Sequence, residues 1–223
     1  MTTPTTTEVG RNRNNLMVGA PNVDKFLGYF LIGDVVTDDS LLPKNASEAK
    51  ADIAKRLNSA TAGFITSDGI SEAEDRSTEK ILDWNLDVID VVTTDYSLQL
   101  TVPFAESANA SVLKFLYGED NVVVSETGTY IKQTSDDLPR RSIMFDLKGK
   151  NGTVGRVFAA EAAVSAKGEI TYTKSGLITY QATIDVFPDA AGVYLHKWLG
   201  EKATTVNTEN VVTSDPEQTD QVV

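Results

Sequence analysis

From Asp95 to Val102 every even position is apolar (Tyr96, Leu98, Leu100, Val102) and every odd one polar (Asp95, Ser97, Gln99, Thr101). Only extended chain, whose successive side chains point to opposite faces, sorts that pattern into one apolar and one wet surface. Ile178 to Phe187 repeats it, with Ile178, Tyr180, Ala182, Ile184 and Val186 on one face and Thr179, Gln181, Thr183 and Asp185 on the other. Strands therefore dominate. Ser142–Lys148 places Ile143, Phe145 and Leu147 on its apolar face, and Asn151-Gly152 supplies a tight hairpin into Val154–Val164. Lys167-Gly168 then turns the chain into a strand over Glu169–Thr173. Shorter strands are expected at Leu16–Gly19, Gly28–Gly33, Gly63–Ser67 and Val122–Val124, the last continuing through Thr129–Gln133. Two helices interrupt this meander. Asn45 and Glu48 have the spacing of a capping box ahead of Ile53 and Leu57, and Ser107–Tyr117 carries an apolar stripe closed by Gly118. The fold class expected is mainly β: a β-sandwich or half-barrel with one flanking α-helix and extended loops and arms.

Polar stretches flank this middle. Residues 1–15 form an N-terminal arm with five Thr in its first seven positions, residues 16–199 the β domain, and residues 200–223 a polar C-terminal arm. Arms of this composition cannot offset their own ordering entropy, so they are expected to order only on assembly. The amino terminus has no apolar h-region, and nowhere do 18 apolar residues run together. A soluble, unexported protein is expected.

Composition removes most chemistry. The net charge of −12 has the wrong sign for gripping phosphate backbones or anionic lipid. With no cysteine there is no disulfide, thiolate nucleophile or Cys-ligated zinc, and with His196 the only histidine, any Ser-His-Asp machinery must pass through that residue. His196 has no discernible partner in the sequence and reads as a packing or interface residue. Nine acids against two bases lie between Gly63 and Tyr96, yet they lack both the calcium-loop pattern and the spacing of a glycosidase pair. They read as a solvated face. Lys148-Gly-Lys-Asn-Gly152 lacks the Gly-Lys-Ser/Thr of a phosphate loop and reads as a hairpin. No enzyme activity, cofactor or metal is expected.

Gly63-Phe-Ile-Thr-Ser-Asp-Gly-Ile-Ser-Glu-Ala-Glu-Asp-Arg76, followed by Ile81 and Trp84, resembles the major tail tube proteins of long-tailed (siphovirus-type) actinobacterial phages. Asn109–Gly118 leading into Asn121-Val122 is similar to the helix of that family, and Phe187-Pro-Asp189 to the close of its last long strand. The resemblance runs from about residue 16 to 199. It implies a structural virion protein: six copies form a ring, and rings stack into the conduit for DNA ejection. The partners implied are further copies of itself, the tape measure protein, the tail terminator and the distal tail proteins. DNA would pass without specific binding, no membrane is involved, and the protein would reside in the virion tail after assembly in the host cytoplasm. Free strand edges fit that reading, because pairing them around a cyclic interface hides them. A type VI secretion-like tube subunit and a carboxylate-based glycoside hydrolase remain as alternatives.

Two surfaces follow as expectations. Ser71–Asp90 should leave the sandwich as a loop or hairpin that contacts the next ring, with Asp75 and Arg76 in it and Ile81, Leu82 and Trp84 as its apolar anchors. A DNA conduit must be wet and free of cations. The lumen candidates are therefore Asp95, Ser97, Gln99, Thr101, Thr179, Gln181, Thr183 and Asp185, which include two acids and no base. Alternation alone leaves open whether that face lines a bore or looks out to solvent.

Overall fold

The computed structural model describes residues 17–22, 27–149 and 152–202. Both arms fall almost wholly outside the described residues, as does the Lys150-Asn151 part of the expected hairpin turn. The architecture is mainly β and antiparallel. Nine strands form one sheet: β1 (Met17–Pro21), β2 (Phe30–Gly33), β3 (Ala60–Thr61), β4 (Ser71–Leu82), β5 (Val88–Phe104), β8 (Arg141–Gly149), β9 (Thr153–Lys167), β10 (Tyr180–Phe187) and β11 (His196–Lys202). A separate ribbon pairs β6 (Val122–Ser125) with β7 (Gly128–Ile131). The strand order is β3-β2-β8-β9-β10-β5-β4, with β1 added to β8 and β11 to β9.

The sheet curls until its two sides meet. Ala62 N–H donates to the Phe30 carbonyl (2.8 Å), while Thr66 N–H donates to Pro103 O (3.0 Å) and Ala105 N–H to Phe64 O (2.9 Å). Residues 60–66 thus join β2 to the end of β5, closing β2, β5, β10, β9 and β8 into a ring of hydrogen-bonded chain. Gly63 makes the corner, at φ +70°, where a Cβ would collide with the Glu106 carboxyl. Inside, Phe30 meets Phe104 edge-on at 5.6 Å and stacks on Phe145 at 6.1 Å.

Alternation is carried out as the pattern requires. Leu98, Leu100, Val102, Ala182, Ile184 and Val186 are buried in the inner core. There they meet Val112, Leu113, Phe115 and Leu116 of α2 (Ala110–Tyr117). A second cluster lies outside the ring, where α1 (Lys50–Arg56) sets Ile53 and Ala54 against Leu31, Met144 and Phe158. In β9 the inward parity changes from odd (Val157, Ala159) to even (Ala162, Val164) at an irregularity opposite Arg141–Ile143.

Several local expectations are corrected. The Asn45/Glu48 capping box does not form: Ala49 is the N-cap without a side-chain bond, and Glu48 instead accepts from Lys44 N–H and Arg56. The second helix begins at Ala110 rather than Ser107, because the Asn109 side chain accepts from Ser111 and Val112 N–H and so sets the first turn there. Glu169–Thr173 is not a strand but part of an irregular excursion between β9 and β10, and Gly63–Ser67 makes only an isolated bridge, Ile65 to Phe104. Val122–Gln133 is a hairpin, β6–β7, rather than one continuing strand.

Candidate functional site

Register brings the two polar faces together as one. Thr183 lies opposite Thr101, and Asp185 opposite Gln99, so the odd residues of β5 and β10 share one surface. Gln99 Nε2 donates to Asp185 Oδ1 (2.8 Å), and Ser165 Oγ of β9 donates to the same oxygen (2.8 Å). On the other side, β4 sets Asp75 opposite Ser97 and Ser77 opposite Asp95. Thr179 and Gln181 extend the surface toward its end, Thr179 lying one residue before β10 begins. Asp95, Ser97, Gln99 and Gln181 are exposed, and Thr101, Thr179, Thr183 and Asp185 half-buried. Beside this face Arg140 is paired with Glu161 and lies over the Phe187 ring at 4.2 Å.

β4 and β5 form a ribbon that leaves the ring. β10 accompanies β5 only up to Gln99, so Val88–Leu98 pairs with β4 alone, a free length of about 35 Å. Every residue of β4 is exposed, and its outer edge has no partner strand among the described residues. Ile81 and Leu82 are each exposed, as are Val88, Ile89 and Val91. Arg76 lies 4.8 Å over the Tyr96 ring and pairs with Glu74 (3.2 Å), while Asp75 faces the polar surface. The tip is tightly organised: Asp83 Oδ1 accepts from Asn85 N–H and Asp87 N–H, both at 2.8 Å, and Leu86 is held at φ +67°. That turn presents Trp84 with its side chain wholly in solvent, 100% exposed, beside Leu86 at 76%.

A groove of about 640 Å³ opens at the foot of the same ribbon. Ile65, Ile70, Pro21, Leu147, Val157 and Leu199 give it an apolar floor, and Lys197, paired with Glu72 at 2.6 Å, stands at its rim. Sequence reasoning missed this groove because its walls come from six separated segments. It also missed the buried pair Arg156–Asp146. Arg156 Nε and Nη2 donate to the two Asp146 oxygens (2.8 and 3.0 Å), and the remaining guanidinium hydrogens reach Asn45 O and Glu48 O (both 3.0 Å). Lys50 Nζ completes the cluster, 3.6 Å from Asp146 Oδ2. The available signal was a single Arg inside the apolar run Val154–Ala160.

His196 does have a partner. Its Nε2 lies 2.8 Å from Asp189 Oδ2, and its ring stacks on Trp198 (5.8 Å, 15°). Asp189 Oδ1 also accepts from Ala191 and Val193 N–H, so the pair ties β11 to the preceding turn. Burial pushes the Asp189 carboxyl up, but bonds from Val193 N–H, His196 and Ala191 N–H outweigh it and hold the group below its ordinary value. Among the described residues no three His, Cys, Asp or Glu side chains are grouped to hold a metal ion, and no helix is long and apolar enough to cross a membrane.

No family model and no curated protein matches the chain. Among solved structures it is similar to a chain of the anti-feeding prophage cap (AFP tube terminating cap) determined by cryo-EM. The TM-score is 0.40 and the identity 10%, over 80% of this chain and 91% of that one. A likeness of that size bears on neither fold nor function.

Proposed function

We propose that the protein is a structural rather than a catalytic subunit: a major tail tube protein whose copies form six-membered rings that stack into the conduit for phage DNA. The β4–β5 ribbon is the observation that supports this most. An isolated two-stranded ribbon is marginal in water, yet this one carries an edge with no partner strand among the described residues and many exposed Ile, Leu, Val and Trp side chains. Large apolar side chains concentrated in the open on one element are characteristic of an interaction site. A second copy of the same chain can satisfy it through a heterologous contact, and such contacts either close into rings or grow into tubes. The shared polar face of β5 and β10 has Asp95 and Asp185 and no base among its eight residues, and the neighbouring Arg140 is neutralised by Glu161, so the face has the wet, acidic character a DNA wall needs. Tape measure, terminator and distal tail proteins are the further partners expected at the ends of such a tube. Negative-stain imaging of the purified protein tests the proposal: rings or tubes support it, and monomers persisting at high concentration would overturn it.

A further inference from the structure

The β4–β5 ribbon consists of two lengths that differ in what holds them. Its root is clamped. Tyr96 packs half-buried against the ring core and meets Tyr194 edge-on at 4.7 Å, while Arg76 of β4 lies over the Tyr96 ring at 4.8 Å. Tyr194 is itself a fixed post, because it packs on the same core and follows the turn that the Asp189 carboxylate organises through Ala191 and Val193 N–H. Glu72 adds its ion pair with Lys197 of β11 at 2.6 Å. Both strands of the root are thereby tied to the β10–β11 connection. Past Tyr96 the ribbon is bare: from Ser77 to Asp95 every residue is exposed except Asp83, half-buried in the tip turn. The side-chain bonds of Asp83 and Asp90 go to the ribbon's own backbone. Local motion concentrates where backbone bonds face solvent and no side chain is buried.

The boundary between the two lengths falls on a defect in the ladder. Ser77 lies opposite Asp95 and Thr78 opposite Thr93, so Thr94 has no partner on β4. Such an extra residue interrupts the cross-strand bonding and bends its strand. It also exchanges the faces of β5. Tyr96 shares the face of Arg76, whereas beyond the bulge the odd residues Thr93 and Val91 do so, opposite Thr78 and Lys80. The alternation that starts at Asp95 in the sequence starts there for this reason. A second irregularity, Ile81–Leu82 opposite Asp90–Val88, lies beside the tip turn and has only the tip beyond it.

We propose that the ribbon is jointed at Thr94: its root stays clamped to the ring through Tyr96 and Tyr194, while the outer arm, Thr78–Thr93, swings about the bulge as one body. This concerns the single chain and stands apart from the assembly reading. A few residues at an irregularity suffice to absorb the backbone rotation of a hinge. Bending at Thr94 breaks none of the contacts of Tyr96, so the arm changes direction without disturbing the core.

The chain has no cysteine, so spin labels go only where cysteines are introduced, and pulsed electron paramagnetic resonance on the dilute monomer reads the distances between them. Gln181→Cys on β10 is the reference, combined with Asp75→Cys in the root or Glu79→Cys in the arm. The Gln181–Glu79 distribution should be about twice as wide as the Gln181–Asp75 one, or wider. Thr78→Cys with Asn85→Cys, both within the arm, should give a narrow distribution. Deleting Thr94, which makes the ladder continuous in a wholly exposed stretch, should narrow the Glu79 distribution to that of the root. Tyr194→Ala should widen the Asp75 distribution, and Tyr194→Phe, which keeps the ring, should leave it narrow. Circular dichroism checks that each variant is folded, and the comparison of Asp75 with Glu79 needs no deletion. A Glu79 distribution as narrow as that of Asp75 would make the bulge a fixed bend and overturn the joint. A wide distribution within the arm would show fraying in place of a swing, and one that stays wide at Glu79 without Thr94 would overturn the bulge as pivot. An Asp75 distribution unchanged in Tyr194→Ala would overturn the clamp.

Discussion

β9 and β4 are strands of similar length in one sheet, and they have opposite fates. β9 runs Thr153–Lys167 with the ring core under one face and α1 or the polar surface over the other, and most of its residues are buried. β4 runs Ser71–Leu82 without one buried residue. The first is held by the chain's own packing. The second is held by hydrogen bonds to β5 along one edge and by little else, which is the condition of an element whose stabilising partner is another molecule.

That contrast can be broken most severely inside the ring. Leu98→Lys should abolish folding, because it buries an unpaired ammonium where 5% exposure leaves it no water. Gln99→Lys, one residue on and on the polar face, should leave the circular dichroism and thermal midpoint of the monomer nearly unchanged. Equal damage from both would mean that the alternation does not define the faces described. Next in size is Asp146→Ala, which strands Arg156 with its guanidinium only 1% exposed. Loss of one partner of a buried pair typically costs about 3–5 kcal/mol. Urea denaturation should show that loss, and a cost under about 1 kcal/mol would show the pair to be dispensable.

A smaller effect concerns acid. Asp189 is held below its ordinary value when folded, so it adds stability above the unfolded carboxyl pKa of about 3.9 and loses it as pH falls through the folded value. Asp189→Asn should therefore narrow the gap between urea midpoints at pH 7 and pH 3. An unchanged gap would remove Asp189 from the acid response. Least of all for the monomer is Trp84→Ala, expected to shift stability by no more than about 0.5 kcal/mol because the side chain is wholly in solvent. Its consequence should fall on assembly, where truncating an aromatic anchor commonly costs about 2 kcal/mol or more. Tubes of normal length from this variant would disconnect the tip from growth.

The regular parts of the ring were readable because they are local. Period-2 alternation in Asp95–Val102 and Ile178–Phe187 states which residues face the core, and the structure buries Leu98, Leu100, Val102, Tyr180, Ala182, Ile184 and Val186 with Tyr96 and Ile178 half-buried against them. Where the signal depends on contacts distant in sequence, it fails. Asn45 and Glu48 have cap spacing, but Glu48 is drawn to Arg56 and Asn45 lends its carbonyl to Arg156, more than a hundred residues away. β9 hides its faces because its parity changes midway. The ribbon's acidic sequence marked it as solvated, which its exposure matches, yet nothing in it announced that residues 60–66 would join both sides of the sheet or that a groove would open at the ribbon's foot.

Hydrogen exchange, followed residue by residue before and after assembly, tests most directly whether the β4–β5 ribbon is completed by another copy. In the monomer, amides of Leu98–Phe104 and Val157–Val164 should be strongly protected, whereas those of Thr78–Val92 exchange quickly despite their cross-strand bonds. On assembly, Thr78–Val92 should gain protection while the ring amides stay as they were. A ribbon as protected as the ring in the monomer, or one that still exchanges quickly in the assembled protein, would contradict that claim.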